Sequence, residues 1–239
     1  MRRAPVGVPF ELEVDGLTIE VTRKRVKNVN FRVGADGVAR MSVPPHLSNE
    51  RVRELAQSRV DWFANHLGRV QAQPRRRPRD WETGESVWVW GEERHLVVER
   101  AQDGFGCSLG EGELRLRVPE GSTREGRALL AERWYACQLK ERLRELLPVC
   151  EERVGCKATS ITLRRMKTRW GSCTTRTGTI RINTALAECP PACLEMVVTH
   201  ELCHLVEPSH NRRFHALMDL HFPGWRASQK WLDMHPPTR

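Results

Sequence analysis

The residues whose types and spacing could do chemistry lie together near position 200, in the segment His200-Glu201-Leu202-Cys203-His204. Residues four apart on an α-helix point the same way, so His200 and His204 can place two imidazole nitrogens on one metal ion. Glu201 follows the first histidine and lies beside this pair, where it is the candidate general base for a metal-bound water. The segment therefore predicts a zinc-dependent hydrolytic site.

A catalytic zinc site needs a third protein ligand and one open position. The chain offers four candidates: Glu207, His210, His215 and His221. His210 is favoured because Pro208 ends a helix and lets the chain turn back toward the metal. Glu207 is too close along the helix to be a distant ligand, and it stands where metzincins carry their turn glycine. His215 and His221 fall on the next predicted helix, where we expect surface positions.

These parts predict a metallohydrolase with one Zn²⁺ per chain, held by three neutral imidazoles, which suit zinc. Zinc would lower the pKa of water to roughly 7, while Glu201 would take the water proton and pass it to a leaving amine. A metallopeptidase acting on proteins or peptides is the leading hypothesis. Two alternatives stay open: a nucleotide phosphohydrolase of the nucleoside triphosphate pyrophosphatase type, which no P-loop supports, and a DNA-associated protease module.

The charge balance bears on these alternatives. The chain carries 39 Lys and Arg against 30 Asp and Glu, a net charge of +9. This excess predicts attraction to nucleic acid, nucleotides or acidic protein surfaces, although a plain solvated basic surface explains it equally well. A basic cluster precedes the predicted metal helix, and it contains Arg164, Arg165, Lys167 and Arg169.

The elements that must position the site suggest an α+β chain in three parts. Residues 1–70 are predicted to form an antiparallel sheet plus one helix, and the polar, proline-bearing segment 71–80 an exposed linker. Residues 81–239 form the catalytic region, with strands, a long helix over 123–147 and a catalytic part over 158–239.

Two patterns refine this division. Strands over 160–166 and 179–186 flank RWGSCTTRTG, whose Gly171 and Gly178 suggest a hairpin with a bulge or turn.

The second pattern is an internal similarity between the segment that begins at Ala39, ARMSVPPHLSNERVRELAQSRVDWF, and the segment that begins at Leu114, LRLRVPEGSTREGRALLAERWY. Duplication and chance convergence explain this similarity equally well.

Cysteine usage and hydropathy predict a cytoplasmic protein without a membrane partner. No stretch approaches the roughly 20 apolar residues that cross a bilayer, and the first residues lack the apolar core of a signal peptide. The eight cysteines are scattered and form no CxxC pair, so we expect reduced thiols.

Three segments resemble the YgjP-like metallopeptidase family, zincin-fold relatives of SprT-type proteases. They are RWGSC (169–173), TIRINTAL (179–186) and VVTHELCHLVEPSHNRRFHALM (197–218). Ser209-His210-Asn211 replaces the family's Asn-His-Ser, and Phe214-His215 replaces its Phe-Trp. The resemblance implies a zincin-like catalytic unit with an active-site helix and a small antiparallel sheet, preceded by a sheet-plus-helix region.

The resemblance also implies roles for particular residues. His200, His204 and His210 would bind the metal, and Glu201 would be catalytic. RWGSC resembles the edge-strand region along which zincins lay an extended peptide. The candidate substrate-binding residues are Arg164, Arg169, Trp170 and Ser172, although Trp170 also fits a core position.

Overall fold

The computed structural model describes residues 5–34, 36–72 and 79–235, and the chain divides into two compact units, Met1–Arg75 and Arg76–Arg239. Helices and small mixed sheets build both units, which confirms the predicted α+β class. Residues 73–78 of the predicted linker lie outside the described residues. Within the described part, every helix is too short or too polar to span a membrane.

The first unit is a four-stranded sheet followed by two helices. Its elements are β1 (Pro9–Val14), β2 (Leu17–Arg23), β3 (Asn30–Val33), β4 (Ala39–Val43), α1 (Asn49–Gln57) and α2 (Val60–Ala72). The strand order is β1-β2-β4-β3, and β2 pairs with β4 in parallel. The predicted antiparallel sheet is therefore wrong in its central pair. This pairing places the buried alternating positions of both strands, such as Val21 and Met41, side by side on one face.

The single helix predicted within residues 1–70 is also interrupted. Ser48 caps α1, since its hydroxyl accepts a hydrogen bond from the Arg51 amide. At Ser58, however, the side-chain hydroxyl donates to the Leu55 carbonyl and competes with helix hydrogen bonding. A second helix then begins at Val60 and buries Phe63 in the core.

The second unit contains two sheets and the remaining helices. Its elements are β5 (Ser86–Val89), β6 (Glu92–Arg100), β7 (Gly106–Leu109), β8 (Glu113–Val118), α3 (Arg124–Val154), β9 (Ser160–Arg164), β10 (Gly171–Thr174), β11 (Thr179–Asn183), a 3₁₀ helix (Thr184–Glu188), α4 (Pro191–Val206), α5 (Arg212–His221) and α6 (Trp225–Met234). The three-stranded sheet has the order β10-β11-β9, with β11 and β9 parallel, so it is mixed where the resemblance implied an antiparallel sheet. After β9 the chain crosses to the far edge of the sheet and forms β10. It then turns back into β11, which lies between the two edges, antiparallel to β10 and parallel to β9.

The long helix α3 extends past the predicted end at residue 147. Pro148 lies inside it, and the helix continues to Val154 because Cys150 and Val154 still bury their side chains in the core. Gly155 ends the helix in the left-handed conformation, with φ of 75°. Packing therefore outweighs the cost of one proline.

The two units repeat one topology. The sheet of the second unit has the order β5-β6-β8-β7, with β6 and β8 parallel and both outer pairs antiparallel, as in the first unit. In both units a hydroxyl-capped helix follows the last strand, capped by Ser48 or Thr123. This shared architecture extends the sequence similarity and favours duplication over chance convergence.

The β5–β6 hairpin anchors the segment that leads into α4. The amide of Trp90 donates to the Ala187 carbonyl at 2.8 Å, and that of Gly91 donates to the Glu188 carbonyl at 3.3 Å. Gly91 has φ of 84°, and a Cβ there would lie 2.9 Å from Pro190 Cα. The hairpin tip therefore fixes the residues immediately before the helix.

We expect Gly91→Ala to destabilise the second unit more than Gly16→Ala destabilises the first. Both glycines have positive φ, which costs an L-residue about 1–2 kcal/mol, but space is open around Gly16. At Gly91 the Pro190 backbone must also move, which adds about 1–3 kcal/mol. Calorimetric unfolding of the full chain measures both losses, and equal losses would contradict the proposed contact.

Candidate metal centre

Helix α4 presents the first two histidines on a buried scaffold. It begins after Pro190, with proline at its first position, and ends at Val206, where the Glu207 amide donates to the Cys203 carbonyl. Leu194, Val198 and Leu202 are fully buried. The helical repeat holds His200 and His204 one turn apart, and packing of the buried side fixes the position of the helix.

The third histidine comes from the segment between α4 and α5. The Nε2 atoms of His200, His204 and His210 form a nearly equilateral triangle, with separations of 3.1, 3.1 and 3.0 Å. Tetrahedral zinc with bonds of about 2.0–2.1 Å would place such nitrogens about 3.3–3.4 Å apart. The three nitrogens would therefore need to move apart only slightly to bind a zinc ion. Among the described residues, this is the one cluster of metal-ligating side chains.

The ring environments favour the neutral form that binds metal. Nδ1 of His204 lies 3.2 Å from the Glu207 carbonyl, which can only accept, so Nδ1 carries the proton and Nε2 offers its lone pair. Burial lowers the pKa of His200 to about 3, and the neighbouring His204 and His210 act in the same direction. Burial also lowers the pKa of His204.

Phe214 supports the triad from helix α5. Its ring stacks on His204 with a centroid distance of 4.6 Å, and it meets the edges of His200 and His210 at 4.8 Å each. The Asn211 side chain caps α5 by accepting a hydrogen bond from the Phe214 amide. In the sequence, Phe214 was noted only as part of the Phe214-His215 pair of the family resemblance. Its contact with all three histidines depends on tertiary packing.

Glu201 is buried against the edge strand β10. Its exposed fraction is 5%, and a Cβ on Gly171 would lie 2.4 Å from Oε1 and 2.8 Å from Cγ of Glu201. Gly171 was predicted to form a bulge or turn, but it is the first residue of β10 and lacks positive φ. Here glycine provides space for the carboxylate, a requirement that no local sequence pattern reveals.

The electrostatic environment of Glu201 opposes its ionisation when no cation is near. Burial raises the pKa of Glu201 to about 8, while the positive charge of Arg169 acts in the opposite direction. A carboxyl group in this range can exchange a proton near neutral pH.

The structure separates the four candidate substrate-binding residues into two groups. Arg169 and Trp170 directly precede β10, and Ser172 lies within it. Arg164 ends β9, at the opposite edge of the same sheet. Trp170 is half-buried against the core, whereas Arg169 is exposed.

The remaining candidate ligands lie outside the triad. Glu207 accepts a hydrogen bond from the Ser209 amide through its carboxylate and so supports the turn before His210. His215 is exposed on α5 and stacks on Trp225 at 5.7 Å, and His221 is the last residue of α5.

We expect His210→Ala to weaken metal binding strongly and His215→Ala to leave it nearly unchanged. Loss of one of three ligands should exceed the roughly 10–100-fold effect typical of outer-shell partners. Elemental analysis and competition with a chromogenic chelator measure both variants. Full metal retention by His210→Ala would eliminate the three-histidine assignment.

In metal-free protein, we expect Glu201→Gln to be more stable than the wild type by an amount that grows as pH rises. The folded-state pKa of about 8 lies above the unfolded value of 4.5, so the wild type loses stability between these pH values and Gln does not. One pKa unit corresponds to about 1.4 kcal/mol, so the difference should reach a few kcal/mol above pH 8. Urea unfolding with chelator at pH 5 and pH 8.5 tests this; a difference that does not grow with pH would contradict it.

Comparisons with known proteins identify the family of the chain. A structural comparison matches the crystal structure of the metallopeptidase zymogen of Pyrococcus abyssi abylysin, with 20% identity and a TM-score of 0.36, over 40% of this chain and 97% of that chain. A comparison with curated proteins found no match. The model of the YgjP-like, metallopeptidase domain family matches residues 27–235, which include every residue of the triad. The chain therefore belongs to the YgjP-like metallopeptidase family.

Proposed function

We propose that the protein is a zinc peptidase in which His200, His204 and His210 hold one zinc ion and Glu201 is the general base. The observation that carries this proposal is the triangle of Nε2 atoms, 3.0–3.1 Å on each side, two of which belong to the helix that also carries the buried carboxyl group of Glu201. Membership of a metallopeptidase family supports a protein or peptide substrate. Three imidazole donors favour zinc over harder cations.

Each residue has a defined task in this proposal. Zinc, when bound, supplies Lewis-acid chemistry that acidifies water and polarises a carbonyl group. Glu201 takes a proton from the attacking water and delivers it to the nitrogen of the leaving amine. Its burial excludes bulk water, and the positive charges of the metal and of Arg169 favour the carboxylate that must act as the base.

The edge strand β10 is the proposed binding surface for the peptide. In the described part of the chain β10 is an edge strand that pairs with β11, and an extended segment can add to such an edge through backbone hydrogen bonds. A peptide bound there would run past Arg169, Trp170 and Ser172 and reach Glu201 at Gly171. The opposite edge carries Arg164, which stays a prediction without this support.

The proposal has two further parts, the location of the protein and the alternative functions. All eight cysteines lie in the described part of the chain as reduced thiols, which supports a reducing, cytoplasmic location. The phosphohydrolase and DNA-associated alternatives stay predictions, since the net charge of +9 is their main support. Steep loss of DNA binding with rising salt would favour the latter.

We expect Glu201→Gln to lower peptidase kcat by about 10²–10⁴-fold while zinc content is retained, because it removes the base and leaves the ligands. Glu152→Gln, on the exposed surface of α3, is the matched control and should keep wild-type activity. The assay compares a panel of unfolded proteins with nucleoside triphosphates. Peptidase activity that survives Glu201→Gln would refute the mechanism, and cleavage of nucleotides alone would refute the substrate class.

A further inference from the structure

The segment between β9 and β10 belongs to neither strand, yet it leads directly to the wall of the site. It spans residues 165–170 and connects opposite edges of the three-stranded sheet. Backbone groups in such a segment need other hydrogen-bond partners when they are shielded from water. One buried side chain supplies several of them.

Asn183, the last residue of β11, is this partner. Its Nδ2 donates to the Met166 carbonyl at 2.8 Å and to the Arg169 carbonyl at 2.7 Å. Its Oδ1 accepts from the Met166 amide at 3.3 Å and from the Ala185 amide at 3.1 Å. Asn183 is 0% exposed, and these four bonds use the full capacity of an amide group.

The backbone of Asn183 extends the same connection to β10. Its amide donates to the Trp170 carbonyl at 2.9 Å, immediately before Gly171. Gly171 is the residue whose Cα faces the Glu201 carboxylate so closely that an added Cβ would lie 2.4 Å from Oε1. Asn183 therefore fixes the backbone on which Glu201 rests.

We propose that Asn183 is a positioning residue for Glu201, which acts through the backbone of residues 166–171 and not by contact with substrate. This inference rests on the proposed function of Glu201. Asn183 belongs to the motif TIRINTAL, and its side chain has no part in the chemistry assigned above. Its effect is geometric: a shift of β10 changes where the carboxylate of Glu201 can lie.

Asn183→Asp is the sharpest test, because it keeps the size of the side chain and replaces two donors with an acceptor. The new oxygen would face the carbonyls of Met166 and Arg169 and repel them. A displacement of about 1 Å at a reacting group can lower the rate about 100-fold. We expect kcat to fall by about 10–100-fold, with KM changed by less than about threefold and one zinc per chain retained.

Three further variants separate positioning from a general loss of stability. Asn30→Asp, the same change at an exposed site in the first unit, should keep wild-type kcat. Gly171→Ala should lower kcat with zinc retained, because it moves the same contact. The double variant Asn183→Asp/Gly171→Ala should be no more than about threefold slower than the slower single variant, since both act through one contact. Asn183→Ser, which keeps one donor and one acceptor, replaces Asn183→Asp if the latter does not fold.

The measurements are kcat and KM on the most rapidly cleaved unfolded protein, together with zinc content and thermal unfolding of each variant. Wild-type kcat in folded, zinc-loaded Asn183→Asp or Asn183→Ser would overturn the inference, and so would losses that multiply in the double variant. If Glu201→Gln is inactive while the Asn183 variant has wild-type kcat, only this inference fails. If Glu201→Gln keeps its activity, the proposed function itself fails.

Discussion

Three imidazole nitrogens 3.0–3.1 Å apart repel one another through their lone pairs unless a proton or a cation lies between them. Burial lowers the pKa of His200 to about 3, which opposes the proton and leaves a metal ion as the favourable partner. The neighbouring carboxyl group of Glu201 is disfavoured as a free anion for the same reason. The fold therefore holds these four side chains close together although their proximity is unfavourable without a bound cation. Other contacts of the fold keep the side chains from moving apart.

Three contacts keep these side chains from moving apart. The packed face of α4 fixes His200 and His204, the ring of Phe214 blocks movement of the triad toward α5, and the backbone of β10 at Gly171 limits Glu201. None of these contacts is strong by itself. Together they limit the movement of the histidines and of Glu201, and such support is how proteins keep catalytic geometry within about 0.5 Å.

How much of this arrangement could be predicted depended on whether the cause was local in sequence. The spacing of His200 and His204, the turn after Pro208 and the caps at Ser48 and Thr123 each depend on a few adjacent residues, and the structure has them where local rules place them. The parallel pairing of β2 with β4 and the continuation of α3 through Pro148 depend on burial against distant residues. The contact between Gly171 and Glu201 joins positions 30 residues apart, so the glycine could only be interpreted as a turn.

The repeated sheet-and-helix unit uses one turn geometry for different contacts in its two copies. Both hairpins turn through two residues with positive φ, Asp15-Gly16 in the first unit and Trp90-Gly91 in the second. In the second unit the tip amides bind the carbonyls of Ala187 and Glu188, just before α4 begins. In the first unit the tip carboxylate of Asp15 accepts hydrogen bonds from Gln57 of its own helix α1. The turn of the first copy thus contacts a helix of its own unit, whereas the turn of the second copy fixes the start of the helix that carries His200 and His204.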